Sequence, residues 1–179
     1  MSRDSRMISR LLRHTVGKRG LTMSADGWAE IADVLKVLDL DRTALDVAVE
    51  HNDKQRLQVD GERIRACQGH SRDGMPVTRE ALESSWERVY PDHLLWHGTN
   101  REALSAIQRD GLLPGRRTHV HLAPEKDSRV GRRSAVDVLL AVDPANLAVY
   151  RAPNGVLLTR EVPADAIVRV DPDRGGGVG

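Results

Sequence analysis

The 179-residue sequence predicts an α+β fold in two parts. Helices and one β-hairpin fill the chain up to about residue 68, and a mixed, sheet-rich lobe runs from residue 92 to 172. Three observations lead there. Apolar residues recur at helical spacing in the N-terminal part, as in "DGWAEIADVLKVL". "RLQVDGERIRA" sets two short alternating runs around Asp60-Gly61, a strong hairpin pattern. Beyond Pro91 the chain turns to short β-type runs: "HLLWHGT", "HVHLA", "VDVLLAVD", "LAVYRA", "GVLLTREV" and "AIVRVD".

The elements follow in order. Ile8, Leu11 and Leu12 mark a first helix, in which Arg13 and His14 stand side by side. Trp28, Ile31, Val34, Leu35 and Leu38 form the stripe of a second. Asp41 is placed to N-cap a third, "RTALDVAVEHN". Three helices and a hairpin wing predict a winged-helix lobe over residues 1–68; a small α+β domain of another type is the alternative. Residues 69–91 are polar, with Gly74, Pro76 and Pro91, and read as a linker with a short helix around "TREALESSWERV". In the C-terminal lobe "NREALSAIQRDG" reads as a helix, Leu104 and Ile107 inward and Gly111 at its end. "DRGGGVG", residues 173–179, reads as a disordered tail.

Charge is balanced overall, at +1, which speaks against a molecule that binds polyanions over its whole surface. It is also clustered. Arg3, Arg6, Arg10, Arg13, Lys18 and Arg19 face only Asp4 within the first 20 residues. Arg116, Arg117, Lys126, Arg129, Arg132 and Arg133 form a second island around Glu125 and Asp127. Two such islands can hold phosphates locally. Phe is absent and aromatics are 3%, too few for an extended base-stacking platform. A single cysteine, Cys67, rules out an internal disulfide framework. No apolar run approaches the roughly 18 residues of a membrane span, and no signal peptide opens the sequence. The default expectation is a cytoplasmic monomer with no membrane partner.

Several motifs carry chemistry. "WHGT" ends a strand before a helix, so Gly98 allows close backbone approach and Thr99 or Asn100 can cap the helix beside His97. "THVHLA" sets His119 and His121 two apart, on one side of a strand. That spacing suits a metal as well as a ligand, but no carboxylate or Cys stands close enough to complete a metal set, and none is expected. "VGRRSAVDVLL" delivers Arg132 and Arg133 to the start of a strand, where guanidinium groups could hold a phosphate. "IRACQGHS" lines up Arg65, Gln68, His70 and Ser71 as donors, and "NDKQR" adds Lys54 and Arg56. Each also has a bland reading as surface or packing.

In their order along the chain, "ISRLLRH", "GLTMSADGWAEIADVL", "NDKQR", "IRACQGHS", "LLWHGT", "DGLLPGRRTHVHLA", "VGRRSAVDVLL" and "NGVLLTREVP" closely resemble the RNA 2′-phosphotransferase family, NAD-dependent enzymes also known as tRNA 2′-phosphotransferases. The resemblance runs from about Ser5 to Val170. It implies a winged-helix RNA-binding lobe, a C-terminal lobe of ADP-ribosyltransferase type that holds NAD as co-substrate, and an active site between them. It implies removal of an internal RNA 2′-phosphate in two steps. The 2′-phosphate attacks C1″ of NAD and nicotinamide leaves. The ribose 2″-hydroxyl then attacks phosphorus, giving RNA with a 2′-OH and ADP-ribose 1″,2″-cyclic phosphate.

By motif, the resemblance implies catalytic roles for Arg13, His14, Arg65 and Arg133, with Arg132 as the fallback for the last. It places NAD on His97, Gly98, Thr99, His119 and His121, with Val156 where related transferases carry an acid. Lys54, Arg56, Gln68, His70, Ser71, Arg117 and Arg132 are the expected RNA-phosphate contacts, Arg117 and His119 being shared between phosphate and cofactor. Gly115 and Ala123 depart from the usual family residues and bear on NAD affinity. Two other functions compete: an ADP-ribosyltransferase that stops after the first step, and a non-catalytic winged-helix binder that senses NAD.

Overall fold

The computed structural model describes residues 2–52, 54–128 and 136–172. Arg132 and Arg133 lie outside the described residues, as does the 173–179 tail. The chain divides into two units. The first is Met1–Trp86 with Arg116–Thr118 and Ala152–Asn154; the second is Glu87–Gly115, His119–Arg151 and Gly155–Gly179.

The first unit begins with α1 (Arg3–Arg10), capped by the Ser2 hydroxyl on Ser5 N. It continues into one π-helical turn, Leu11–Thr15. Two further helices follow, α2 (Ile31–Leu38) and α3 (Arg42–Glu50). Asp41 Oδ1 accepts from Ala44 N at 2.7 Å, which satisfies one of the orphan donors at the start of α3. Ile8, Leu11, Leu12, Ile31, Val34, Leu45, Ile64 and Leu82 are buried and form the core of this unit. The predicted hairpin is present as β2 (Leu57–Asp60) and β3 (Arg63–Ala66), with Gly61 at φ +59° in the turn. A third strand was not foreseen. Ala29–Glu30, β1, pairs antiparallel with β3 and gives the sheet order β1-β3-β2. Trp28 therefore precedes the second helix instead of lying on its stripe, because β pairing claims the residues up to Glu30.

The stretch expected as a linker is built into both units. The helix α4 (Arg79–Ser85) is capped by Thr78, its Leu82 is fully buried, and Trp86 donates to Cys67 O at 3.0 Å. These contacts extend the first unit to Trp86 in place of residue 68. Glu87–Val89, β4, then opens the second unit as a strand.

The second unit holds two antiparallel sheets, ordered β4-β8-β9-β6 and β10-β7-β5. The members are β5 (Leu95–Thr99), β6 (Val120–Leu122), β7 (Val138–Val142), β8 (Val149–Arg151), β9 (Leu157–Thr159) and β10 (Ile167–Pro172). Reciprocal backbone bonds between Trp96 and Ala123, 2.9 and 2.7 Å, tie β5 to the end of β6. Leu95, Leu122, Leu140, Val142, Val149 and Leu157 meet in the core. The helix α5 (Leu104–Asp110) lays Leu104 and Ile107 on that core and ends at Gly111, φ +79°. A 3-10 turn, Arg101–Ala103, leads into it and is capped by Asn100, whose Oδ1 accepts from Ala103 N at 3.1 Å. Among the described residues no helix is long and apolar enough to cross a membrane.

Candidate phosphate and nucleotide sites

In the first unit a short spine, Cys67–Ser71, gathers cations from three other parts of the chain. Cys67 N donates to Arg56 O at 2.8 Å, extending the hairpin ladder by one pair and holding Arg56 at its open end. Gly69 O accepts from Arg117 Nη1 at 3.1 Å. Ser71 N donates to Arg13 O at 2.9 Å, and Ser71 also bridges the backbone of Arg117. The Ser71 hydroxyl lies 2.7 Å from His14 Nδ1. Thr118 N donates to His70 O at 3.1 Å and Arg72 N to Arg116 O at 2.9 Å, which fasten residues 116–118 alongside.

Arg13 is the unusual member. Its Nε and Nη2 are sealed from solvent and find no acceptor among the described residues. Burial pulls its pKa down to about 10, and the nearby Arg56 and Arg117 push in the same direction. A buried guanidinium crowded by two more cations is costly unless an anion joins it. His14 is held below the usual imidazole value, first by burial and then by Arg117, Arg13 and Arg10. Gly69, at φ +89°, keeps the centre open: a Cβ there would stand 2.7 Å from Arg117 Nη1 and 3.2 Å from Arg13 Cζ. The cluster can receive one compact, highly charged anion, with Nε2 of His14 as the ring nitrogen not taken by Ser71.

The sequence-predicted residues separate on this geometry. Arg13, His14, Arg56, Arg117 and Ser71 come together. Arg65 takes a different place. It is 4% exposed, with Nε donating to Gln58 Oε1 at 2.7 Å and Nη1 to Ser85 Oγ at 2.8 Å and Asp26 O at 3.2 Å. Its guanidinium also stacks on Trp28, 4.7 Å from the ring centroid. Those partners engage its guanidinium within the unit, and the Cys67 thiol feels both Arg65 and Arg13. His70 is fully buried under Gly27, which corrects its reading as a surface donor to RNA. Gln68 is buried with Oε1 unpartnered, and Lys54 is exposed. The roles expected for Arg132 and Arg133 fall outside the described residues. Arg56 and Arg117, expected from the sequence as RNA-phosphate contacts, stand beside Arg13. The doublet Arg116-Arg117 before a strand resembles Arg132-Arg133 in sequence.

In the second unit His97 lies on β5 and donates from Nδ1 to His121 O at 2.8 Å. A carbonyl can only accept, so the neutral ring carries its proton on Nδ1 and presents Nε2 as an acceptor. Gly98 follows, with Val136 so close that a Cβ would stand 2.8 Å from Cγ2. Thr99 O accepts from Asp137 N at 3.0 Å. His119 is 2% exposed and His121 half-buried, both opposite the core residues Val120 and Leu122. Val156 is buried ahead of β9. A groove of about 490 Å³ in this unit, lined by Glu87, Arg88, Tyr90, His93 and Arg151 among others, includes none of these residues.

Comparison with known proteins decides the family. A family model described as RNA 2′-phosphotransferase, Tpt1 / KptA family, matches residues 2–161. The chain belongs to the RNA 2′-phosphotransferase family. A relative from Pseudomonas syringae pv. tomato, named a probable RNA 2′-phosphotransferase, is 38% identical over 93% of this chain and 92% of its own length. One of the same name from Burkholderia lata is 39% identical over 95% of this chain and 91% of its own. Another, from Agrobacterium fabrum, is 38% identical over 89% of each. As a member of the family the chain is an enzyme, an RNA 2′-phosphotransferase.

Proposed function

We propose that this enzyme removes an internal RNA 2′-phosphate using NAD as co-substrate, in the two steps the family resemblance implies. The observation that carries the reading is Arg13: a buried guanidinium with two nitrogens that have no acceptor among the described residues, flanked by Arg56 and Arg117. In this reading Arg13, Arg56 and Arg117 hold the 2′-phosphate, and His14 donates to it from Nε2. The phosphate oxygen is already an anion, so it needs no base to attack C1″. In the second step the 2″-hydroxyl gives up its proton and attacks phosphorus, the bond to the RNA 2′-oxygen breaks, and that oxygen takes up a proton and leaves as the RNA 2′-OH. Fixed guanidinium groups stabilise charge on the phosphoryl oxygens as they crowd in that step. We assign Arg56 and Arg117 to the phosphate beside Arg13 and His14, in addition to the roles expected of Arg65 and Arg133.

The second unit fits the nucleotide. His97 Nε2 can accept from a ribose hydroxyl, and its tautomer is fixed for that by His121 O. Gly98 and Thr99 supply backbone beside it, with His119, His121 and Val156 as the further residues proposed to hold NAD. The three helices with a three-stranded hairpin sheet support a winged-helix reading of the first unit, and the paired antiparallel sheets an ADP-ribosyltransferase-like reading of the second.

The test is incubation with NAD and a short RNA bearing one internal 2′-phosphate. The expected products are 2′-OH RNA, nicotinamide and ADP-ribose 1″,2″-cyclic phosphate. Arg117→Ala should abolish them. Absence of nicotinamide release from the wild type would overturn the reading, and accumulation of ADP-ribosylated RNA by the wild type would favour a one-step transferase.

A further inference from the structure

Helix-turn-helix proteins usually read nucleic acid with the second helix of the motif. Here that helix is α3, and it is poorly equipped to meet a phosphate backbone. Its charged residues are Arg42, Asp46 and Glu50. Arg42 is already paired twice, with Asp46 at 3.0 Å and with Glu62 at 2.9 Å. The face it offers is neutral to acidic.

The helix α1 is different. Arg3, Arg6 and Arg10 are all exposed, while Ser5, Ile8 and Ser9 are buried. At about 100° per residue Arg3 and Arg10 align within roughly 20°, Arg6 lies about 60° to one side, and the buried residues sit opposite. The stripe is about 10 Å long at ~1.5 Å per residue. It leads into the phosphate cluster, because α1 ends at Arg10 and runs without a break into the Leu11–Thr15 turn that carries Arg13 and His14. Asp4, in the first turn, is the helix's sole acid.

We infer that α1, and not α3, carries the RNA: the sugar-phosphate backbone flanking the 2′-phosphate lies along Arg3, Arg6 and Arg10. The occupant follows from charge complementarity and from continuity with the proposed phosphate site, so the inference rests on the functional reading above. A 2′-phosphate sits on a strand whose neighbouring phosphates must go somewhere close by. A row of guanidinium groups ending at His14 gives about three of them a partner. Arginine contacts of this kind set register on the strand without reading its sequence.

Salt dependence tests it. Binding of a fluorescent single-stranded RNA with one internal 2′-phosphate is measured by anisotropy from 50 to 200 mM KCl, without NAD. Each phosphate contact to single-stranded nucleic acid contributes about 0.7 to the log–log salt slope. The triple variant Arg3→Gln, Arg6→Gln, Arg10→Gln should bind with a slope about 2 units shallower than wild type. Arg42→Gln should leave the slope unchanged. A triple variant with the wild-type slope overturns the inference, and so does a slope that falls in Arg42→Gln instead. The replaced side chains are exposed and Gln is a good helix former, so the melting temperature should stay near wild type and serves as the folding control. No turnover is read, so the RNA path is decided whether or not the wild type releases nicotinamide.

Discussion

Gly69→Ala should disable the enzyme far more than it destabilises it. Gly69 sits at φ +89°, where an L side chain costs about 1–2 kcal/mol. The new Cβ would meet Arg117 Nη1 at 2.7 Å, Arg13 Cζ at 3.2 Å and Arg13 Nε at 3.3 Å. Ordinary contact needs about 3.5 Å or more, so Arg117 must retreat by about 1 Å and Arg13 by a few tenths. The tip of Arg117 can move, so the fold survives, but its bond to Gly69 O at 3.1 Å is lost and the cation leaves its place. A misplacement of about 1 Å at a reacting group costs on the order of 100-fold in rate. The strain alone lowers the melting temperature by about 2–8 °C for a chain of this size. Gly61→Ala is the matched control. Its φ is +59° and nothing lies within 4 Å of the new Cβ, so it carries the backbone strain without the collision. Both variants should melt a few degrees early, and only Gly69→Ala should lose 2′-phosphate removal. If Gly69→Ala stays within about threefold of wild type, Arg13 and Arg117 are not the phosphate ligands.

Four further outcomes follow from the same geometry. Arg65→Ala should cost about 2–3 kcal/mol of stability by breaking a buried charged hydrogen-bond set, whereas Arg117→Ala should abolish activity with a near-normal melting curve; the reverse pattern would take Arg117 off the phosphate. Ser71→Ala removes the partner of His14 Nδ1, and should lower kcat about tenfold with KM for RNA little changed and Ser71→Thr restoring it; an unchanged kcat would show that the bond does not orient the ring. His14 should titrate below the ordinary imidazole value of about 6.5 in the free enzyme, so the unfolded chain binds its proton first and the stability this group contributes, full above about 6.5, falls as pH drops through the folded value. Nuclear magnetic resonance should show that value rising when a 2′-phosphorylated RNA binds; a fall would place the anion elsewhere. Cys67, its thiol pushed up to about 11 by burial, should resist thiol reagents at pH 7.5 until the protein unfolds, and rapid labelling of the native enzyme would contradict its burial.

Much of the fold was written locally. Asp41 capped the helix it was expected to cap, Asp60-Gly61 turned the hairpin, and Gly111 ended the helix it follows, because each of these depends on a few neighbouring φ/ψ angles and one or two hydrogen bonds. Local pattern also misled. Trp28 fits a helical stripe, but the backbone around it is taken by pairing between Ala29 and Ile64, 35 positions apart, which no periodicity reports. The polar stretch after residue 68 read as a linker because its burial rests on a few large residues, Leu82 and Trp86, and not on a repeating pattern.

The candidate site divides the same way. The sequence by itself determined the family, the pairing of Arg13 with His14, and a supply of arginines in ordered motifs. Which arginines join that pair was decided only in three dimensions. Arg56 and Arg117, 61 residues apart, are brought to Arg13 by the backbone of Cys67–Ser71, while Arg65 is engaged by Gln58, Ser85 and Trp28. A guanidinium goes where its hydrogen-bond acceptors and its desolvation are best balanced. Those acceptors are mostly backbone carbonyls and polar groups remote in sequence, so the choice between equivalent arginines belongs to the tertiary structure.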